Sequence, residues 1–350
     1  MNSTSLAARA SERELLAAAR RGDEHAFECL IEPHRRELRA HCYRMLGSVE
    51  DAEDALQEAW VRGWRGLGRF AGRSSLRSWL YRIATNACLR AIERRPARIL
   101  PLDYGPAADP HDDPAPPLVE SAWIGPYPDD ELLADDDRAT PESRYEIRES
   151  LELALIAALQ HLPARQRAVL ILRDVLGFAP AEIADILEAT PPAIYSALQR
   201  ARRAVEEGLP AQSQQQTLRA LGDRRMRELV EAYVSAWERG DVAAIQEMLA
   251  ADAAMSMPPR PTWYRGRAAI GEFLAAWPLA PGRSWRLAPL RANGQLAFAV
   301  RGPNAEAAER HEHGIHVLTL DRDGRIAELT AFLGRRHAGS MDGARRGGRP

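Results

Sequence analysis

The stretch EIADILEATPPAIYSALQRARRAVEE, residues 182–207, has the pattern of two short helices joined by a tight turn. Pro191 or Pro192 stands where the second helix would begin, because proline suits the first helical turn. Four apolar residues of that helix share one stripe at spacings i, i+4, i+7 and i+11: Ile194, Leu198, Ala201 and Val205. The opposite face carries side chains that can read base edges and phosphates: Ser196, Gln199, Arg200 and Arg203. The stretch predicts a helix-turn-helix on duplex DNA, with a solvated arginine face as the alternative.

A second unusual helix is predicted upstream, in SVEDAEDALQEAWVRGWRGL at 48–67. Its apolar stripe consists of Val49, Ala52, Leu56, Ala59 and Trp60. Off this stripe lies an acidic and amide face: Asp51, Asp54, Gln57 and Glu58. Such a face suits a basic protein partner and would repel DNA. If this helix stood alone, a solvated charged face would be the favoured interpretation.

An arginine-rich helix follows in RFAGRSSLRSWLYRIATNACLRAIERR at 69–95. The segment 70–75 reads as a short polar loop, and Ser75 or Ser74 can cap the helix after it. An arginine face beside an aromatic-containing loop can bind unpaired bases and their backbone. The candidates for this contact are Phe70, Arg73, Ser74, Arg77, Arg82, Asn86 and Arg90. Trp79 is expected to be ordinary core.

Residues 97–146 interrupt the helical pattern. They contain nine prolines, and three arginines stand against 13 acidic residues. This composition predicts an acidic linker, and 50 extended residues span at most about 165 Å. Helical periodicity returns at 147–210, with prolines at expected helix starts.

The character of the chain changes again after residue 211, where two helices are followed by strands with alternating apolar residues. Asn293-Gly294 and Asp323-Gly324 are strong two-residue hairpin signals. We expect an α+β domain with a curved antiparallel sheet, and a disordered tail at 337–350.

Composition restricts the class of protein. With 350 residues, 45% apolar and 27% charged, the chain suits several globular domains. No stretch approaches the roughly 18 apolar residues of a membrane helix, and the N-terminus has no export signal. Cys29, Cys42 and Cys88 lack the spacing of a disulfide framework or a zinc site. We therefore expect a cytoplasmic protein without contact to membranes and without a metal or cofactor.

In their order, these pieces resemble the extracytoplasmic-function sigma factors of the sigma-70 superfamily. The resemblance rests on DAEDALQEAW at 51–60, RFAGRSSLRSWLYRIATNA at 69–87, LPARQRAVLILRDVLGFAPAEIADIL at 162–187 and SALQRAR at 196–202. It implies an all-α region 2 domain at 10–96 and an all-α region 4 domain at 147–210. It also implies binding to core RNA polymerase, at the β′ clamp and the β flap, and to promoter DNA. Glu188 stands in the turn where many relatives have glycine.

The resemblance assigns a role to each motif. The acidic helix would dock on the β′ clamp, the loop and arginine helix would melt and read the −10 element, and the helix-turn-helix would read the −35 element as duplex. The linker would pass through basic channels of the polymerase.

Residues 222–336 resemble SnoaL-like domains of the nuclear-transport-factor-like fold. The matching stretches are YVSAWERGDVAAIQEMLAADAAMSMPPRPTWYRGRAAIGEFL at 233–274 and HVLTLDRDGRIAELTAF at 316–332. The resemblance implies an α+β cone whose pocket could take a small apolar ligand. Candidate lining residues are Met257, Trp263, Tyr264, Phe298 and His316, with Met255 beside them.

The motifs and the two resemblances together predict a non-enzymatic sigma factor with a regulatory C-terminal domain. One alternative is a repressor or activator whose helix-turn-helix binds operator DNA under control of the C-terminal pocket. Another is an enzyme in which Asp252 and His316 act as acid and base inside the cone.

Overall fold

The computed structural model describes residues 3–72, 74–95, 97–118, 123–129, 140–302 and 312–334. The chain forms two compact units, each built from segments that are distant in sequence. The first unit combines residues up to 95 with residues 162–206, and the second combines residues 96–161 with the residues from 207 onward.

The helices, in chain order, are α1 Ser3–Arg20, α2 Glu24–Leu46, α3 Val49–Gly66, α4 Leu76–Glu93, α5 Pro101–Tyr104, α6 Pro141–Glu149, α7 Leu153–Gln160, α8 Ala164–Leu170, α9 Pro180–Leu187, α10 Pro191–Gly208, α11 Gln214–Arg239, α12 Val242–Met248 and α13 Arg267–Ala276. The strands are β1 Leu249–Ser256, β2 Trp263–Arg265, β3 Arg286–Ala292, β4 Gln295–Arg301, β5 Glu312–Leu320 and β6 Ile326–Leu333. A short 3₁₀ turn, Leu67–Arg69, follows α3, and a π-helical turn, Ile171–Val175, continues α8.

The helices of the first unit begin where the sequence places capping residues. Asp23, Ser48 and Ser75 accept hydrogen bonds from backbone N–H groups in the first turns of α2, α3 and α4. Of the two serines considered for α4, Ser75 is therefore the cap. Helices α9 and α10 begin at prolines, as expected for a residue that lacks an N–H.

A six-stranded sheet with the order β2-β1-β6-β5-β4-β3 forms the centre of the second unit. Both predicted hairpins are present, since Asn293-Gly294 joins β3 to β4 and Asp323-Gly324 lies between β5 and β6. The expectation of a purely antiparallel sheet is wrong, because β1 pairs with β6 in parallel. Hairpin turns predict pairing only between strands that are consecutive in the chain, and β1 and β6 are not consecutive.

The sheet has two faces, and each carries an aligned row of buried residues. On the inner face, the aligned residues Tyr264, Met255, Leu329, Leu318 and Leu296 belong to the main core with α11 and α13. On the outer face, a neighbouring aligned row is just as inaccessible: Trp263, Ser256, Thr330, Val317 and Ala297. Something other than the core helices must therefore cover the outer face.

Candidate nucleic-acid interface

Helix α10 separates its apolar and polar side chains cleanly. Its buried residues are Ile194, Leu198, Ala201 and Val205, as the sequence predicts. All four residues predicted to contact duplex DNA are exposed: Ser196, Gln199, Arg200 and Arg203. Two short contacts, 2.6 and 2.8 Å, join the Arg202 guanidinium to the Asp174 carboxylate and tie α10 to the π-helical turn. Helix α10 thus exposes a polar face, and the Arg202–Asp174 pair holds the helix against the π-helical turn.

The acidic face of α3 is smaller than the sequence suggests. Asp54 and Gln57 are exposed, but Asp51 is only 8% exposed and forms an ion pair with Arg95. The prediction of Asp51 as an accessible docking residue is therefore corrected. The reason is a partner 44 residues further along the chain, which helical periodicity cannot reveal.

Glu58, the fourth residue of that face, lies half-buried between two arginines. Its Oε1 atom accepts hydrogen bonds from Arg62 at 2.8 Å and from Arg90 at 3.1 Å. Partial burial acts in the opposite direction, but these arginines hold the pKa of Glu58 below its ordinary value. Arg90, a candidate −10 contact, is thus already bound to a carboxylate of the neighbouring helix.

The loop before α4 places its aromatic residue in the core. Phe70 is 7% exposed and packs on Trp79, with ring centroids 5.0 Å apart. The Arg20 guanidinium donates to the Phe70 carbonyl oxygen. In this conformation Phe70 is therefore not available to hold a base, contrary to the prediction. Arg73 lies outside the described residues, whereas Ser74 is exposed.

On α4, Arg82 is exposed and Asn86 is half-buried. Arg77 is engaged with the second half of the unit. Its guanidinium carbon lies 4.6 Å from the centroid of the buried Phe178 ring and 5.0 Å from that of Tyr81. It also donates to Glu37 at 3.3 Å. A residue predicted to contact the −10 element thus belongs to an internal interface.

The candidate pocket residues of the cone are all buried, but they do not share one face. Phe298 and His316 lie opposite each other on the inner face, and Tyr264, also on the inner face, stacks on Phe273 with centroids 4.4 Å apart. Met257 belongs to the same core. Trp263 alternates with Tyr264 along β2 and therefore lies on the outer face. Trp263 is thus removed from the group predicted to line the pocket.

Two helix α11 residues that the sequence analysis missed complete the polar centre of the cone. The Tyr233 hydroxyl lies 2.9 Å from His316 Nδ1, and the Trp237 ring lies 4.7 Å from the His316 ring. Burial raises the pKa of Tyr233. The available signal was the i, i+4 spacing of two aromatic residues on an amphipathic helix. Asp252 is exposed on β1, so it does not join His316 in a buried acid–base pair.

Among the residues that the structure describes, no group of three His, Cys, Asp or Glu is placed to hold a metal ion. No helix in the described part of the chain is both long and apolar enough to cross a bilayer.

Three families of known domains match successive parts of the chain. Residues 30–97 match Sigma-70 region 2, residues 152–205 match Sigma-70 region 4, and residues 230–329 match the SnoaL-like domain.

Individual relatives agree with these matches. The ECF RNA polymerase sigma factor SigG of Mycobacterium tuberculosis is 43% identical over 323 residues, covering 91% of this chain and 83% of SigG. The RNA polymerase sigma-H factor of Pseudomonas aeruginosa is 29% identical over 57% of this chain and 93% of its own length. The crystal structure of the M. tuberculosis extracytoplasmic function sigma factor SigJ superposes with a TM-score of 0.52 at 21% identity, covering 87% of this chain and 95% of SigJ. This last similarity concerns the fold.

Proposed function

The chain belongs to the extracytoplasmic-function RNA polymerase sigma factors and directs promoter-specific transcription initiation, and we propose that its SnoaL-like C-terminal domain regulates that activity. Its partners are accordingly RNA polymerase and promoter DNA. The assignment of DNA contacts to individual residues rests on the exposed polar face of α10 in the helix-turn-helix.

The −35 element is the proposed target of Ser196, Gln199, Arg200 and Arg203. Arginine and glutamine can pair in bidentate fashion with guanine and adenine in the major groove, and serine can bond either a base or a phosphate. Support comes from their common exposure and from the Arg202–Asp174 pair that holds the helix.

The polymerase contact is proposed for the exposed part of α3, Asp54 and Gln57, on the β′ clamp. Glu58 joins this surface if Arg62 and Arg90 release it, and Asp51 is a positioning residue through Arg95. The region 4 domain would contact the β flap.

The −10 element is the proposed target of Arg73, Ser74, Arg82 and Asn86. Phe70, Arg77 and Arg90 are engaged within the protein, and their participation requires that these contacts open. We therefore propose that the −10 surface becomes complete only when the protein assembles with polymerase and DNA, in the cytoplasm where transcription takes place.

The cone is proposed as a regulatory rather than a catalytic module. Catalysis would need an acid and a base around a substrate, whereas Asp252 is exposed and His316 is hydrogen-bonded to Tyr233. Met257, Tyr264, Phe298 and His316 are the residues that would meet a small apolar ligand. Such a ligand would have to displace packed aromatic rings, because Tyr233 and Phe298 already lie 4.6 Å apart.

Run-off transcription with purified core polymerase tests the proposal. The full chain should initiate at specific genomic promoter fragments, and the double variant Gln199→Ala with Arg200→Ala should initiate at least about tenfold less, since a bidentate base contact contributes roughly 1–3 kcal/mol. Arg283→Ala is the control, because this exposed arginine lies in the second unit, outside the helix-turn-helix. Duplex binding without any initiation would instead favour the operator-binding alternative.

A further inference from the structure

Two described stretches of the linker, residues 99–118 and 123–129, bind to the C-terminal sheet at its β2 edge and at its β3–β4 end, and we call them the strap. The Trp263 indole donates from Nε1 to the Gly105 carbonyl at 2.8 Å, and the Ala108 N–H donates to the Trp263 carbonyl at 2.8 Å. Further along, the Ala115 N–H donates to the Thr262 hydroxyl at 2.9 Å. The strap therefore runs along β2 and the residue that precedes it.

The loop before β2 also binds this part of the strap. Arg260 Nη1 donates to the Ala115 carbonyl at 2.7 Å, and the Leu118 N–H donates to the Pro259 carbonyl at 2.9 Å. Proline has no backbone N–H, but these bonds use backbone groups of Ala115 and Leu118. They therefore hold the strap although its sequence is rich in proline.

A second anchor lies at the β3–β4 hairpin. Pro128 pairs with Ala292 in an antiparallel bridge, flanked by bonds from the Asn293 N–H to the Tyr127 carbonyl and from the Asp129 N–H to the Arg291 carbonyl. Tyr127 is fully buried. The strap is thus fixed at both edges of the sheet.

Apolar side chains make the strap costly to release. Trp123, Ile124 and Tyr127 are at most 3% exposed, although they stand in an acidic, proline-rich segment. Release of the strap would expose these side chains to water, which opposes undocking. Ile99 also bridges to Trp123, which takes 24 residues, or about 80 Å of extended chain, out of the connection.

We propose that the outer face of the C-terminal sheet is a docking surface for the strap, and that release of the strap is the step through which the C-terminal domain controls initiation. The inference rests on the proposed function, in which the regions before and after the strap contact two promoter elements. Two helical turns of duplex separate such elements by roughly 70 Å. The Ile99–Trp123 bridge leaves about 85 Å of the roughly 165 Å of linker, and the Pro128 anchor fixes part of that remainder, so a docked strap leaves little spare chain for this separation. Arg77 stays on Phe178 while the two regions remain together.

A reversible disulfide tests the docking. The bonds that flank the Pro128–Ala292 pair identify it as a non-hydrogen-bonded pair, in which Cα atoms lie about 4.5 Å apart, within the range of a disulfide. The variant Pro128→Cys with Ala292→Cys is prepared in a Cys29→Ser background, and mass spectrometry verifies the new bond.

The oxidised variant should give at least about tenfold less run-off product than the same protein after reduction, while each single-cysteine variant should not respond to reductant. A verified disulfide that leaves run-off unchanged would overturn the strap proposal. Failure of the wild-type chain to initiate anywhere would instead remove the proposed function.

Weakening the strap provides the converse test. Arg260→Ala with Trp263→Phe removes hydrogen bonds to Ala115 and Gly105 and should raise run-off about threefold to tenfold, since each bond contributes on the order of 1 kcal/mol. Arg283→Ala is again the control. Amide exchange at Ala108 and Leu118 reports release, and a released strap without increased initiation would contradict the proposal.

Discussion

Glu188 is the residue at which the helix-turn-helix departs from its usual chemistry. It lies in the turn between α9 and α10 with φ 51° and ψ 50°, in the left-handed region. A side chain with a Cβ atom costs roughly 1–2 kcal/mol there, whereas glycine adopts this conformation readily. Glu188 nevertheless ends α9 as a glycine would, with its N–H donating to the Ala184 carbonyl. Glu188 therefore adopts the backbone conformation of a C-terminal glycine although it carries a side chain.

The substitution Glu188→Gly should raise the free energy of unfolding by about 1 kcal/mol, because it removes this backbone cost. Urea unfolding followed by tryptophan fluorescence and circular dichroism measures the change. Ala204→Gly, on the exposed face of α10 with helical geometry, is the matched control and should lower the same quantity by about 0.5–1 kcal/mol. Equal destabilisation by both substitutions would exclude backbone relief at Glu188.

At the scale of elements, the first unit is held together by contacts between helices that are distant in sequence. Phe178, just before α9, packs edge-on against Tyr81 of α4 with ring centroids 5.1 Å apart, and the Arg77 guanidinium lies over both rings. Arg167 of α8 donates to the carbonyl of Met45 at the end of α2, and burial lowers the pKa of Arg167 to about 10. The region 2 and region 4 halves of this unit thus share one core.

Phe178→Ala should lower the free energy of unfolding of the first unit by roughly 3–5 kcal/mol, because it leaves a cavity between α4 and α9. It should also increase amide exchange in α4. The control is Tyr195→Ala on α10, since Tyr195 is 59% exposed and its removal should change stability by no more than about 0.5 kcal/mol. Similar effects of both substitutions would show that Phe178 does not join the halves.

At the scale of the whole molecule, the C-terminal domain also binds the segment that joins the two sigma regions. Residues 96–161 belong to its compact unit. Besides the strap, Glu152 accepts hydrogen bonds from the backbone N–H groups of Gln214 and Gln215 and so caps α11. The Leu153 N–H donates to Gln295 at 2.9 Å. Removing the domain therefore removes the support of the segment that joins the two sigma regions.

A chain that ends at Ala211 should lose protection of the strap amides. Hydrogen exchange at Ala108, Ala115 and Leu118 should become at least about tenfold faster than in the full chain, since their acceptors lie beyond residue 211. Amides within α3 provide the internal reference and should be unaffected. Unchanged exchange at the three strap amides would mean that the segment is ordered without the C-terminal domain.

Much of the fold was predictable because its signals are local. The caps at Ser48 and Ser75, the proline starts of α9 and α10 and the two hairpin turns each depend on residues within about four positions. The stripes of α3 and α10 follow from the 3.6-residue period. The candidate −35 face could be predicted for the same reason, since all four of its residues lie opposite a buried stripe of one helix.

The candidate −10 and polymerase surfaces could be predicted only in part. Phe70, Arg77 and Asp51 belong to types that bind bases, phosphates and basic partners, but Trp79, Phe178 and Arg95 already engage them. Two of these partners are at least 44 residues away, and sequence periodicity carries no information on such pairs.

By itself, the sequence determined the family, the helical character of the sigma regions, the hairpins of the C-terminal domain and the exposed polar face of α10. Only the tertiary structure decided that β1 pairs in parallel with β6, that Trp263 lies on the outer face, and that the strap is hydrogen-bonded at both edges of the sheet. The physical reason is the range of the interactions. Helix periods, caps and turns act over a few residues, whereas the strap is held by hydrogen bonds and burial between segments about 150 residues apart, which depend on how the whole chain folds.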